Sequence, residues 1–149
     1  MKLRQYQQDA VESAIDWMKK CTEPALLELA TGAGKSWIAA AIAQWIHETS
    51  KKKVLVLQPS KELTEQNAEK YASTGKKASI FSASAGSKCT RHNVVYATPK
   101  TVLNSISRFG DSFGAVIIDE AHQTTPTIKQ IIDSIRAKNP MLRVIGMTA

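Results

Sequence analysis

Apolar residues along this chain follow two periods, one helical and one extended, and the two alternate from end to end. Ala10, Val11, Ala14, Ile15 and Met18 recur at helical spacing and predict a helix over Tyr6–Lys20. Pro24 breaks that pattern, and Ala25–Leu29 reads as a short apolar strand. A glycine-rich turn follows, and the strongly apolar segment Lys35–Glu48 predicts a second helix. Val54–Gln58 predicts a strand, and Lys61–Ala72 a helix with Ser60 as its N-cap. Ala78–Ser82 and Asn93–Ala97 predict strands flanking a polar loop, Ser82–His92. Thr101–Ser107 predicts a short helix with Pro99 near its start. Ala115–Asp119 predicts an apolar strand ending in acids, Pro126–Ala137 a helix, and Arg143–Met147 a last strand.

Short strands that are apolar throughout and separated by helices predict a mostly parallel sheet with helices on both faces. The fold class is therefore α/β, a three-layer sandwich. With 149 residues the chain is about one domain, able to bury a normal core without disulfides. Neither an internal repeat nor a low-complexity segment interrupts the pattern. The chain stops at Thr148-Ala149, directly after an apolar strand and without a polar tail, which predicts a chain cut from a longer protein.

Composition changes this picture little. The net charge of +7 makes phosphate-rich partners plausible, and a merely soluble basic surface would give the same value. Cys21 and Cys89 lack the paired spacing of a zinc or redox site, which suits free thiols in a reducing cytoplasm. No apolar run reaches the roughly 18 residues that a membrane span needs. Lys51-Lys52-Lys53, Lys76-Lys77 and the loop Ser87–His92 read as solvated, with the lysine runs at the amino edge of the sheet.

Two segments carry chemistry. The first is Thr31-Gly32-Ala33-Gly34-Lys35-Ser36, between a predicted strand and a predicted helix. Gly32 and Gly34 permit backbone angles that turn successive N–H groups toward one anion. The helix start adds its positive dipole end, the Lys35 ammonium can reach outer phosphates, and the Ser36 hydroxyl can ligate Mg²⁺. A glycine expected four residues before the Gly-Lys pair is replaced by Leu29. The second segment is Val116-Ile117-Ile118-Asp119-Glu120-Ala121-His122, in which apolar residues carry two carboxylates to the carboxyl end of a buried strand. Neighbours on an extended chain point to different sides, so Asp119 can serve the Mg²⁺ shell while Glu120 faces a water beside the terminal phosphate. His122 is expected to couple through hydrogen bonds rather than to ligate metal.

Together these residues resemble superfamily 2 helicases of the DEAH type. Ala30–Ser36 resembles their motif I, and Asp119-Glu120-Ala121-His122 is a literal motif II. Leu3-Arg4-Gln5-Tyr6-Gln7 looks like the adenine-reading Q motif, and Gln58–Gln66 like motif Ia. Ala97-Thr98-Pro99-Lys100 resembles the next strand-binding motif, and Gly146-Met147-Thr148-Ala149 the opening of motif III. The style is nearest to RadD-like proteins, type III restriction Res subunits and UvrB-like ATPases.

The resemblance implies a RecA-like ATP-binding domain over residues 1–149, with ATP and Mg²⁺ as cofactors. It implies that Gln7 and Arg4 read the adenine side, that Thr31 to Ser36 hold the phosphates, and that Ser36 and Asp119 hold the metal. Lys35, Asp119, Glu120 and His122 would be catalytic, and Pro59, Ser60, Lys61, Thr98 and Pro99 would meet a nucleic-acid backbone. It further implies a second RecA-like lobe carrying the arginine finger, since no arginine here sits in the family's finger motif. By itself the chain should then bind Mg-ATP or ADP weakly and hydrolyse ATP poorly. The implied function is a cytoplasmic DNA helicase or translocase in DNA repair. A restriction-enzyme motor and a nucleotide-gated DNA-binding module are the alternatives, and RNA stays open as substrate.

Overall fold

The computed structural model describes residues 2–30, 34–120 and 125–148. The elements run α1 (Gln5–Lys20), β1 (Ala25–Glu28), α2 (Lys35–Ser50), β2 (Lys53–Leu57), α3 (Lys61–Ala72), β3 (Ala78–Ser82), β4 (Ser87–Lys88), β5 (Val94–Ala97), α4 (Pro99–Asn104), β6 (Phe113–Asp119), α5 (Pro126–Lys138) and β7 (Arg143–Thr148). A short 3-10 turn, Ile106–Arg108, follows α4. The strands form one seven-stranded sheet in the order β1-β7-β6-β2-β5-β3-β4. Every pairing is parallel except the terminal β3–β4 pair.

Strand alternation divides the core into two layers. Val54 and Val56 of β2, Ala115 and Ile117 of β6, and Ile145 and Met147 of β7 face α1, α2 and α3. Their neighbours Leu55, Leu57, Val116, Ile118 and Val144 face α4 and α5. The central strands are buried on both faces, which is why they are apolar at consecutive positions. On the second face Phe81, Phe109 and Phe113 stack with ring centroids 5.1 Å apart at each contact.

Local signals set the ends of the helices. Ser60 caps α3 by accepting from the Leu63 N–H at 3.2 Å, as expected from sequence. Thr125 caps α5 in the same way, with Pro126 in the first turn. Residue Lys51, at φ 62°, closes α2 in the left-handed region.

Three expectations change. The polar loop Ser82–His92 contains β4, an antiparallel strand of two residues. So short a strand carries no readable alternation. The loop is also less solvated than its composition suggests: His92 and Cys89 both bond Ser79 Oγ, at 3.0 and 3.4 Å. Within the first lysine run, Lys52 donates to the Asp111 carbonyl and Lys53 to the Thr90 carbonyl, so both stitch loops together at the amino edge. None of the helices among the described residues is long and apolar enough to cross a membrane.

Candidate nucleotide site and strand-contact edge

Because every strand but β4 runs parallel, the carboxyl ends of the other six lie on one edge of the sheet, where ligands of open α/β folds bind. β1 and β6 flank β7 in the strand order, so Lys35, beyond β1, and the acids at the end of β6 come out close together. Gly34 stands at the N-cap of α2 with φ 76°, a left-handed conformation that glycine adopts without strain. Thr31, Gly32, Ala33 and His122 lie outside the described residues.

Lys35 and Glu120, 85 residues apart in sequence, meet at 2.8 Å between Nζ and Oε1. The same ammonium lies 3.9 Å from Asp119 Oδ1. Asp119 Oδ1 also accepts the backbone N–H of Glu120 at 3.0 Å. Glu120 itself has φ 57°, an energetically costly backbone state for a residue with a side chain. Both consecutive carboxylates lie near the Lys35 ammonium. Burial pushes the Asp119 carboxyl above the usual carboxylate range, with Lys35 opposing and Glu120 adding to the shift.

Of the expected adenine-side residues, Gln7 sits against Gly34. Gln7 is buried, and its Oε1 accepts the Arg4 backbone N–H at 2.9 Å. A Cβ added at Gly34 would come within 2.3 Å of Gln7 Nε2, so the amide lies directly on the glycine. Gln7 is therefore no ordinary exposed helix residue. Arg4 is exposed at the N-cap of α1.

A cleft of about 290 Å³ opens beside the acids. Asp119 and Glu120 line it from β6, Gln58 and Pro59 from the end of β2, and Pro99 and Lys100 from the end of β5. The structure thus places Pro59 and Pro99 in the same cleft as the acids. Ser60 and Lys61 lie one step further along α3, with the Ser60 hydroxyl engaged as the cap. Thr98 is half-buried, and its hydroxyl bonds Ser82 Oγ and Thr101 Oγ1 at 3.1 Å each. It is built into a hydroxyl network within the chain, and Pro99 and Lys100 form the cleft-lining part of that motif.

Sequence reading missed three residues here. Gln58 is buried, and its Oε1 has no hydrogen-bond partner among the described residues. Lys100 lines the cleft. Lys70 of α3 donates from Nζ to Ser36 Oγ at 3.0 Å, 34 residues away in sequence. No motif spacing announces that contact; only the packing of α3 beside α2 creates it.

Comparison with known proteins agrees with this arrangement. A family model for "Type III restriction enzyme, res subunit" matches residues 1–149. The ATP-dependent DNA helicase fml1 of Schizosaccharomyces pombe is 28% identical over an alignment covering 98% of this chain and 19% of that protein. The ATP-dependent DNA helicase uvsW of Enterobacteria phage T4 is 28% identical, over 87% of this chain and 26% of that protein. The crystal structure of the bacteriophage T4 UvsW helicase superposes with a TM-score of 0.77 at 27% identity, covering 99% of this chain and 52% of that one. For the Hef helicase domain of Pyrococcus furiosus the TM-score is 0.76 at 26% identity, covering 98% of this chain and 32% of that one. The chain spans about a fifth to a quarter of the length of these two curated relatives. Given a family match from the first residue to the last and a sheet of the same RecA-like helicase architecture, the chain belongs to the family of the type III restriction enzyme Res subunit.

Proposed function

We propose that this chain is the ATP-binding lobe of a nucleic-acid-dependent ATPase that drives a DNA helicase or translocase, acting in cytoplasmic DNA repair. The observation that carries the reading is the meeting of Lys35 with Glu120 at 2.8 Å and Asp119 at 3.9 Å on the carboxyl edge. An ammonium from a glycine turn and two strand-end carboxylates suit a triphosphate and its counter-ion.

The donor set fits Mg²⁺. Ser36 supplies a hydroxyl and Asp119 a carboxylate, both hard oxygen ligands. When bound, the ion would offset charge on the transferring phosphoryl group.

The chain's own residues would act as follows. Amides of residues 31–34 and the start of α2 would hold the phosphates. Lys35 would exchange its bond to Glu120 for a phosphate oxygen, leaving the Glu120 carboxylate to orient the attacking water. His122 would link this centre to neighbouring groups by hydrogen bonds. Gln7 and Arg4 would read the adenine side. Pro59, Ser60, Lys61, Thr98 and Pro99 would lie along a nucleic-acid backbone, with the Thr98 hydroxyl already engaged inside the chain. Both curated relatives named above are described as DNA helicases, which favours DNA. A second RecA-like lobe would close over ATP and bring an arginine to it.

A fluorescent ADP analogue tests the site. Lys35→Ala should weaken binding by about 10- to 100-fold, the loss of one or two charge-assisted contacts. Unchanged binding would overturn the assignment. The family description also favours a restriction-enzyme motor. ATP-dependent DNA cleavage by the full-length protein would establish that reading, and strand displacement without cleavage would exclude it.

A further inference from the structure

We infer that Lys70 is a built-in occupant of the Ser36 metal position, which Mg²⁺ must displace when it arrives with nucleotide. The inference rests on the nucleotide-site reading above and extends it to a residue outside the motifs. Its basis is the 3.0 Å hydrogen bond from Lys70 Nζ to Ser36 Oγ, made across the gap between α3 and α2. The ammonium also stands 6.0 Å from the centre of the Trp37 ring, an aromatic face that favours a cation. Neither end of this contact is fully solvated: Lys70, Ser36 and Trp37 are all partly buried.

The site therefore carries two ammonium groups at its two metal-binding side chains. Lys70 stands on Ser36, and Lys35 stands between Glu120 and Asp119. A serine hydroxyl has two acceptor lone pairs and Lys70 takes one, so a metal on the second would share its oxygen with that ammonium. Like charges at such a separation repel strongly in a half-buried site. Lys70 and Mg²⁺ are therefore mutually exclusive partners of Ser36.

The packing of α3 makes this a held contact. Thr64, Asn67, Ala68 and Tyr71 are buried at helical spacing. Tyr71 packs on Tyr96 of β5 with ring centroids 6.2 Å apart, and Ala68 and Tyr71 belong to the core shared with α2. Lys70 leaves the helix beside that buried face, so its reach toward Ser36 follows from an anchored backbone.

The test is a magnesium titration at fixed, saturating fluorescent ADP, using the 149-residue chain. Lys70→Met should lower the half-saturating Mg²⁺ concentration by about tenfold, the equivalent of one competing charge-assisted bond removed. Lys70→Arg, which keeps the charge, should stay near wild type. In a Ser36→Ala background Lys70→Met should no longer shift the magnesium midpoint, because the shared oxygen is gone. An unchanged or raised midpoint in Lys70→Met, with ADP still bound, overturns the role of Lys70 alone. Failure of the wild-type chain to bind ADP with or without Mg²⁺ overturns the nucleotide-site reading and this inference together.

Discussion

Asp119 shows how a carboxylate proposed to serve a site costs this fold stability. Burial raises its pKa above that of an exposed aspartate, although Lys35 lies 3.9 Å away. The folded chain thus holds the proton more tightly than the unfolded chain does. The resulting penalty is present at neutral pH and disappears as pH falls below the unfolded carboxyl value of about 4. Asp119→Asn should therefore raise the melting temperature by a few degrees at pH 7, with the oxygen that accepts the Glu120 N–H retained. The gain should close as pH falls below the unfolded carboxyl value of about 4. Calorimetric melts of both chains across that range would check it; a variant less stable than wild type at neutral pH would contradict the assigned cause. Glu120 at φ 57° points the same way, because a backbone held in a costly state serves the site rather than the fold.

At the scale of elements, each functional segment is the end of a strand or the start of a helix. Helix α3 illustrates the coupling. Its N-terminal cap, Ser60, lies at the edge expected to meet nucleic acid, and its other end delivers Lys70 to Ser36. Ser60→Ala should cost about 1 kcal/mol in denaturant-induced unfolding, since the Leu63 N–H loses its partner. The same variant should weaken binding of single-stranded DNA to the full-length protein, if the hydroxyl or the helix start touches the backbone. Stability lost with DNA affinity intact would assign Ser60 to capping alone. In β6, the alternation of Val116 and Ile118 against Ala115 and Ile117 binds both core layers to one strand. The acids at its end are therefore carried by one of the most tightly packed elements of the fold, as a preorganised site requires.

On the proposed reading, the molecule is one side of a two-sided machine. The cleft lined by Pro59, Pro99, Asp119 and Glu120 lies on the sheet edge, where a partner lobe would close. An arginine supplied from a second lobe is worth about 10³ to 10⁵ in turnover. The 149-residue chain should accordingly hydrolyse ATP at least about a thousandfold more slowly than the full-length protein saturated with DNA. Phosphate-release assays on both would measure the gap. Equal rates, abolished by Lys35→Ala, would show that this lobe is catalytically complete without a partner.

Much of this was legible in the residues themselves. Local periodicity, caps and breakers act over a few neighbours, so the helices and the six longer strands were readable, with ends displaced by a few residues. The glycine-rich segment and the Asp119-Glu120 pair stood out as candidates because phosphate and metal chemistry demand particular residue types at short spacing. Other features depend on which segments become neighbours. The strand order β1-β7-β6 brings Lys35 to Glu120, parallel β2 and β5 bring Pro59 and Pro99 to one cleft, and the pairing of α2 with α3 sets Lys70 on Ser36. Such contacts join residues tens of positions apart, and nothing in their local sequence encodes the partner. Tertiary packing alone decided them, because burial of two apolar sheet faces selects the strand order and the side chains at the edge follow from it.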